Sequence, residues 1–124
     1  MRTLLDSSVL ISHLRGDAQA TSLLISLPTE DRLVSVLTRV EIEGGMRSDE
    51  RRDVASLFGV LRMIPVTDLI ARRAAAHLRK FRRSHAAIDL VDYVIAATAE
   101  LHEAELATLN VKHFPMFKGL TAPW

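Results

Sequence analysis

Four side chains with oxygen donors stand where apolar, strand-like runs give way to helical ones: Asp6, Glu41, Asp92 and Asn110. Asp6 closes Thr3-Leu4-Leu5, and Glu41 lies early in the helical segment after Leu33-Val34-Ser35-Val36. Asp92 begins the run Asp92-Tyr93-Val94-Ile95-Ala96-Ala97, and Asn110 ends Leu106-Ala107-Thr108-Leu109. In open α/β sheets ligands bind beyond the carboxyl ends of the strands, so residues distant in sequence meet there. Three carboxylates brought together repel one another unless a cation holds them, and hard oxygen donors suit Mg²⁺ or Mn²⁺. The pattern predicts a divalent-metal site.

Each residue also has an ordinary structural use. Asp6 is either a helix N-cap before Ser7-Ser8 or a metal ligand, and Ser8 then orients it or holds a metal-bound water. Glu41 is either a surface charge or a ligand; Glu43 is its competitor and is expected to be solvated. Thr38, three residues before Glu41, is placed to cap that helix or to contact phosphate. Asp92 sits among Leu90, Val91, Val94 and Ile95, where an unpaired buried carboxylate is costly, and this marks it as a ligand. Asp89, three residues earlier, is the better N-cap and a candidate for supporting contacts. Asn110 either makes a turn or offers a neutral oxygen. Nearby Lys112 and His113 either contact phosphate or face solvent. His85 and His102 have no ligand spacing with another histidine, which argues against zinc.

The elements that must position these groups alternate between strand and helix, which predicts an α/β/α sandwich around a mainly parallel sheet. Strands are expected near Arg2–Leu5, Leu33–Val36, Met63–Val66 and Leu106–Leu109, with Pro65 marking either an edge position or a strand end for the third. Helices are expected from Asp6-Ser7-Ser8 to Gly16, over Gln19–Leu27, around Val40–Ile42, over Asp49–Arg62, from Thr67 or Asp68 to Arg83, and over Asp89–Glu103. In the last, Leu90, Val94, Ala97 and Leu101 form the expected core face. Leu23, Leu24, Leu57 and Phe58 are taken as core rather than contact surface. The 124 residues read as one domain, 1–124.

Composition excludes several classes. There is no cysteine, hence no disulfide, thiolate zinc site or cysteine nucleophile, and a reducing cytoplasm is expected. The first carboxylate comes too early for a secretory signal, whose apolar stretch runs roughly 7–15 residues. No apolar run approaches the roughly 20 residues of a membrane span, so no membrane partner is expected. The net charge is +1 and the pI about 8.3, yet basic residues cluster at Arg51-Arg52, Arg72-Arg73 and Arg79-Lys80-Phe81-Arg82-Arg83. Such clusters serve either as solvated helix faces or as a phosphate-binding surface.

The chain resembles the PIN-domain ribonucleases, specifically the VapC-type toxins of bacterial toxin–antitoxin pairs. Leu4-Leu5-Asp6-Ser7-Ser8-Val9-Leu10-Ile11 resembles the family's opening strand and first acid. Ser35-Val36-Leu37-Thr38-Arg39-Val40-Glu41-Ile42-Glu43-Gly44-Gly45 resembles its second motif, and Asp92-Tyr93-Val94-Ile95-Ala96-Ala97-Thr98-Ala99 its third. Ala107-Thr108-Leu109-Asn110-Val111-Lys112-His113-Phe114 resembles the fourth. In three places the chain departs from the pattern: Asn110 stands where aspartate is frequent, His113 where an acid often precedes the phenylalanine, and Ser8 where asparagine is common.

The resemblance implies Mg²⁺- or Mn²⁺-dependent endonucleolytic cleavage of RNA by Asp6, Glu41, Asp92 and Asn110. The metal would lie on Asp6, Asp92 and Glu41, with Ser8, Thr38, Asp89 and His113 in support or on phosphate. It also implies a homodimer, a cognate VapB-type antitoxin and a higher-order toxin–antitoxin complex. A catalytically inactive RNA-binding or regulatory PIN-like module is the alternative. A phosphoryl-transfer domain is disfavoured, because Asp6-Ser7-Ser8 lacks the second aspartate of an Asp-x-Asp nucleophile motif.

Overall fold

The computed structural model describes residues 1–124. Its strands are β1 (Thr3–Leu5), β2 (Arg32–Ser35), β3 (Arg62–Ile64) and β4 (Glu105–Ala107). All pair in parallel, in the order β3-β2-β1-β4. The helices are α1 (Ser7–Leu14), α2 (Ala18–Ser26), α3 (Val36–Gly45), α4 (Arg51–Gly59), α5 (Asp68–Phe81) and α6 (Leu90–Leu101). The chain builds outward from β1 to β2 and β3, then returns to add β4 on the other side of β1. This reversal puts a topological switch between β1 and β4, where open α/β sheets leave a crevice at the carboxyl ends of their strands.

Strand alternation sorts the core into two layers. Leu5, Val34 and Ala107 point to one face, packing with Val9, Leu10, Leu24, Ile42, Leu57 and Phe58 of α1 to α4. Their neighbours Leu4, Leu33 and Leu106 point to the other face, against Ile95, Ala96 and Ala99 of α6 and Phe114. A residue period of two thus assigns each strand side chain to a layer. Helix α5 covers α6 from outside, with Ile70 and Ala74 in a cluster with Tyr93, Val94 and Ala97. The alanines of α6 keep this packing close. Leu24, Leu57 and Phe58 are buried, and Leu23 packs at the margin of the same cluster, so these residues are core as expected.

The expected core face of α6 needs correction. Val94 and Ala97 are buried, but Leu90 is 65% and Leu101 46% exposed, whereas every residue from Tyr93 to Ala99 is buried. A helix sandwiched between a sheet and another helix is covered all round its middle and open only at its ends, so the single-stripe rule does not apply. Two caps also sort themselves out. Thr67 Oγ1 accepts from Ile70 N–H at the start of α5, while α3 is capped by Ser35, not Thr38. β3 is an edge strand, with Pro65 directly after it. No helix is long and apolar enough to cross a membrane.

Candidate metal centre

The carboxyl ends of β1 and β4 form one side of the site. Asp6 follows β1, and its backbone N–H still donates to Ala107 of β4. Its backbone carbonyl opens α1, accepting from Val9 and Leu10. Its side chain makes no capping bond. Instead, Oδ2 of this buried carboxylate accepts from the hydroxyls of Ser8 and Thr108, each at 2.8 Å. Each hydroxyl is held in turn: Leu109 N–H donates to Ser8 Oγ, and Asn110 N–H to Thr108 Oγ1, both at 3.0 Å. These bonds replace the ladder beyond Ala107, which is why β4 stops short of the expected Leu109. Asp6 Oδ1 has no protein hydrogen bond.

The start of α6 forms the opposite side. Asp89 is its N-cap, and Asp89 and Asp92 exchange backbone-to-carboxylate bonds: Asp92 N–H to Asp89 Oδ1 at 3.2 Å, and Asp89 N–H to Asp92 Oδ2 at 3.4 Å. His113 Nδ1 lies 3.1 Å from the same Oδ2. Asp92 repeats the arrangement of Asp6, with one carboxylate oxygen engaged by donors and Oδ1 free of protein hydrogen bonds. A carboxylate in the first turn is also favoured by the helix dipole.

Glu41, in the second turn of α3, completes the group. Glu41 is exposed, but partial desolvation raises its carboxyl above the ordinary range, and the charges of Asp6, Asp89 and Asp92 push it further, while Ser7 opposes the shift. Asp92 is raised as well, by burial first and then by Asp89 and Asp6, opposed by His113 and the Asp89 backbone N–H. Two carboxyl groups raised by their acidic neighbours mark a surplus of negative charge, the condition a divalent cation relieves. No three acidic or histidine side chains close into a ready-made cage. Carboxylate oxygens of this kind are the donors that a hard cation such as Mg²⁺, which keeps several of its waters, takes.

The expected residues divide accordingly. Asp6, Asp89 and Asp92 all act on Glu41, Ser8 orients Asp6, and His113 contacts Asp92 while staying partly exposed. Asn110 joins through its backbone; its exposed side chain makes no hydrogen bond to the acids. Thr38 is corrected: it is fully buried with Oγ1 unpaired, so it cannot reach a phosphate in solution. Glu43 pairs with Arg39 at 2.7 Å and stays out of the site. Two contributors, Thr108 and Ser7, had no expected role. A carboxylate buried at a strand mouth needs donors, but nothing in the local sequence marks Thr108 as one of them.

Residues 3–115 match the family described as the PIN domain. Over 122 residues the chain is 50% identical to Ribonuclease VapC10 of Mycobacterium tuberculosis, covering 98% of this chain and 92% of that protein. It is 41% identical over 123 residues to Ribonuclease VapC19 of the same organism, covering 98% of each. Among solved structures, a toxin–antitoxin complex from Klebsiella pneumoniae aligns with a TM-score of 0.82 at 27% identity, over 98% of both chains. VapBC-1 from nontypeable Haemophilus influenzae aligns with a TM-score of 0.76 at 25% identity, over 92% of this chain and 90% of that one. With its acids at the β1–β4 switch and these similarities along nearly its whole length, the chain belongs to the PIN-domain family, among the VapC-type toxins.

Proposed function

We propose that this protein is a metal-dependent endoribonuclease toxin of the cytoplasm, restrained by a VapB-type antitoxin. The reading is supported by the placement of Asp6 directly after β1, Asp92 in the first turn of α6 and Glu41 in α3, whose carboxyl group feels the charges of Asp6, Asp89 and Asp92. The ribonuclease names of its relatives support the same activity. Asp6, Glu41 and Asp92 are the residues that would hold Mg²⁺ or Mn²⁺. When bound, such an ion polarises the phosphodiester and makes water a better nucleophile at neutral pH.

The protein's own groups prepare that chemistry. Ser8 and Thr108 fix the Asp6 carboxylate through Oδ2 and leave Oδ1 without a protein hydrogen bond, while Asp89 and His113 do the same for Asp92. Glu41 draws a proton or a cation, according to which is available. Asn110 offers a neutral oxygen to water or phosphate, and this lowers the charge against an incoming RNA backbone. No serine or histidine nucleophile is needed.

The antitoxin reading is supported by the toxin–antitoxin complexes among the structural relatives. A groove of about 460 Å³ that includes Glu41, with Ile11, Leu14, Ile42, Met46 and Val54 alongside the charged Arg15, Arg47 and Glu50, suits an amphipathic antitoxin segment that crosses to the acids. Exposed Val40, Leu69 and Leu90 suit a homodimer contact. Incubating total RNA with wild type and Asp92→Asn, in Mn²⁺ and in chelator, and mapping the new ends tests the activity. Metal-dependent ends from wild type alone are expected. Equal cutting by Asp92→Asn would overturn the assignment, and tight RNA binding without cutting would favour the inactive module.

A further inference from the structure

Outside the acidic site, charge is most segregated at the end of α5. From Leu69 to Ile88 the chain has no acidic residue but six arginines and lysines. Arg72 pairs with Asp68 and Arg73 with Glu100; Arg79, Lys80, Arg82 and Arg83 have no carboxylate within ion-pair distance. The turn after α5 leads directly into Asp89, so these cations stand at the same end of the molecule as the acids.

One side of α5 borders a cleft of about 360 Å³, whose other wall is the 115–118 segment. Lys80 enters from α5, its ammonium 5.3 Å from the Phe81 ring centre, and Lys118 enters from the opposite wall. Neither lysine is in an ion pair, and both are exposed. The one carboxylate in the cleft, Glu100, is already neutralised. Arg73 forks onto both its oxygens at 3.2 and 3.0 Å, and buried His77 bonds Oε1. Burial pushes Glu100 up, but these bonds hold its carboxyl below the ordinary range. Glu100 therefore cancels Arg73, and two lysine charges remain against the apolar walls Phe81 and Met116, a setting that strengthens their field.

The 113–118 segment runs from the acids to the cleft, which lies toward the Glu100 end of α6, eight positions from Asp92. His113 touches Asp92, and two residues later Pro115 already lines the cleft. We propose that this cleft is a second phosphate subsite, in which Lys80 and Lys118 hold a backbone phosphate of the RNA strand away from the scissile bond. This rests on the ribonuclease reading. The subsite supplies sequence-independent grip, while the repulsive acid cluster does the cutting.

The test uses the full chain. Binding of a defined single-stranded RNA is measured for Asp92→Asn with and without Lys80→Gln/Lys118→Gln, across salt concentrations, and cleavage is followed with both lysines changed in the otherwise native protein. The lysine changes should weaken binding on the order of tenfold at low salt and lower the slope of log K against log salt by about 0.7–1.4. KM should rise with kcat unchanged. Unchanged affinity and slope, with wild type still cutting RNA, would remove the subsite and leave the nuclease intact. An equal loss from Arg51→Gln/Arg52→Gln would also remove it, by showing that only bulk charge matters. Lysine-dependent binding by a wild-type protein that never cuts would overturn the nuclease reading instead.

Discussion

Helix α6 carries two acidic residues, Asp92 and Glu100, eight positions apart and treated in opposite ways. Asp92 meets other carboxylates and is raised by burial and by Asp89; Glu100 meets Arg73 and His77, which hold it below the ordinary range despite burial. A satisfied carboxylate ties α6 to α5, whereas a crowded one stores repulsion that a cation can release. The same residue class on one helix thus serves assembly at one end and chemistry at the other.

The largest expected effect breaks the crowded end. Asp92→Asn should lower metal-dependent RNA cleavage on the order of a thousandfold, the several kcal/mol that charge stabilisation by a held metal supplies. The same variant, free of metal, should melt slightly higher than wild type, because a repelling charge is gone. Initial rates and thermal melts in chelator check both outcomes, and a lower melting temperature would mean that Asp92 is structural like Glu100.

Next is the support of Asp6. Thr108→Val removes a donor from its buried carboxylate and should cost roughly 10- to 100-fold in activity or metal affinity, as losses next to metal ligands do. Titration with Mn²⁺ at fixed RNA would show the midpoint moving to higher metal. A variant with wild-type metal dependence would mean that Ser8 alone suffices to orient Asp6.

The satisfied end should respond in stability. Glu100→Gln weakens the bonds to Arg73 and His77 and should cost about 2 kcal/mol by denaturant unfolding, with little change in kcat. A large loss of kcat at full stability would erase the distinction between the two ends.

The smallest effect separates them by pH. Glu41 and Asp92 are raised, so the metal-free fold binds more protons than the unfolded chain, and their contribution is fully present below the ordinary carboxylate values. It is lost as pH rises from those values through the raised ones. Glu100 is depressed, so its contribution is present above the ordinary value and is lost as pH falls through the lowered one. Melting temperature against pH in chelator should show both limbs, and Mn²⁺ should flatten the first only. Identical curves with and without Mn²⁺ would contradict a cation among the acids.

Much of this was legible in order and spacing. Asp6 at a strand mouth, Glu41 past the next strand and Asp92 at a helix start follow from local periodicity together with the rule that parallel sheets gather such ends. Pro65 pointed to an edge position or a strand end, and β3 lies at an edge and stops just before it. What could not be read depends on contacts across the chain. Thr108 acts on Asp6 over 102 positions, and nothing local distinguishes it from any other threonine closing a strand. Leu90 and Leu101 fit a helical stripe, yet their ends protrude because α5 and the sheet cover only the middle of α6. Thr38 sits one turn before Glu41, but its face of α3 turns inward.

The residue types and their order alone set the alternation of strands and helices, the absence of thiol chemistry and a short roster of oxygen donors, since these rest on backbone preference and side-chain chemistry. Only the folded chain decided which carboxylates crowd together and which are paired. Charge interactions depend on distance and burial, and both are created by packing between segments that are remote along the chain.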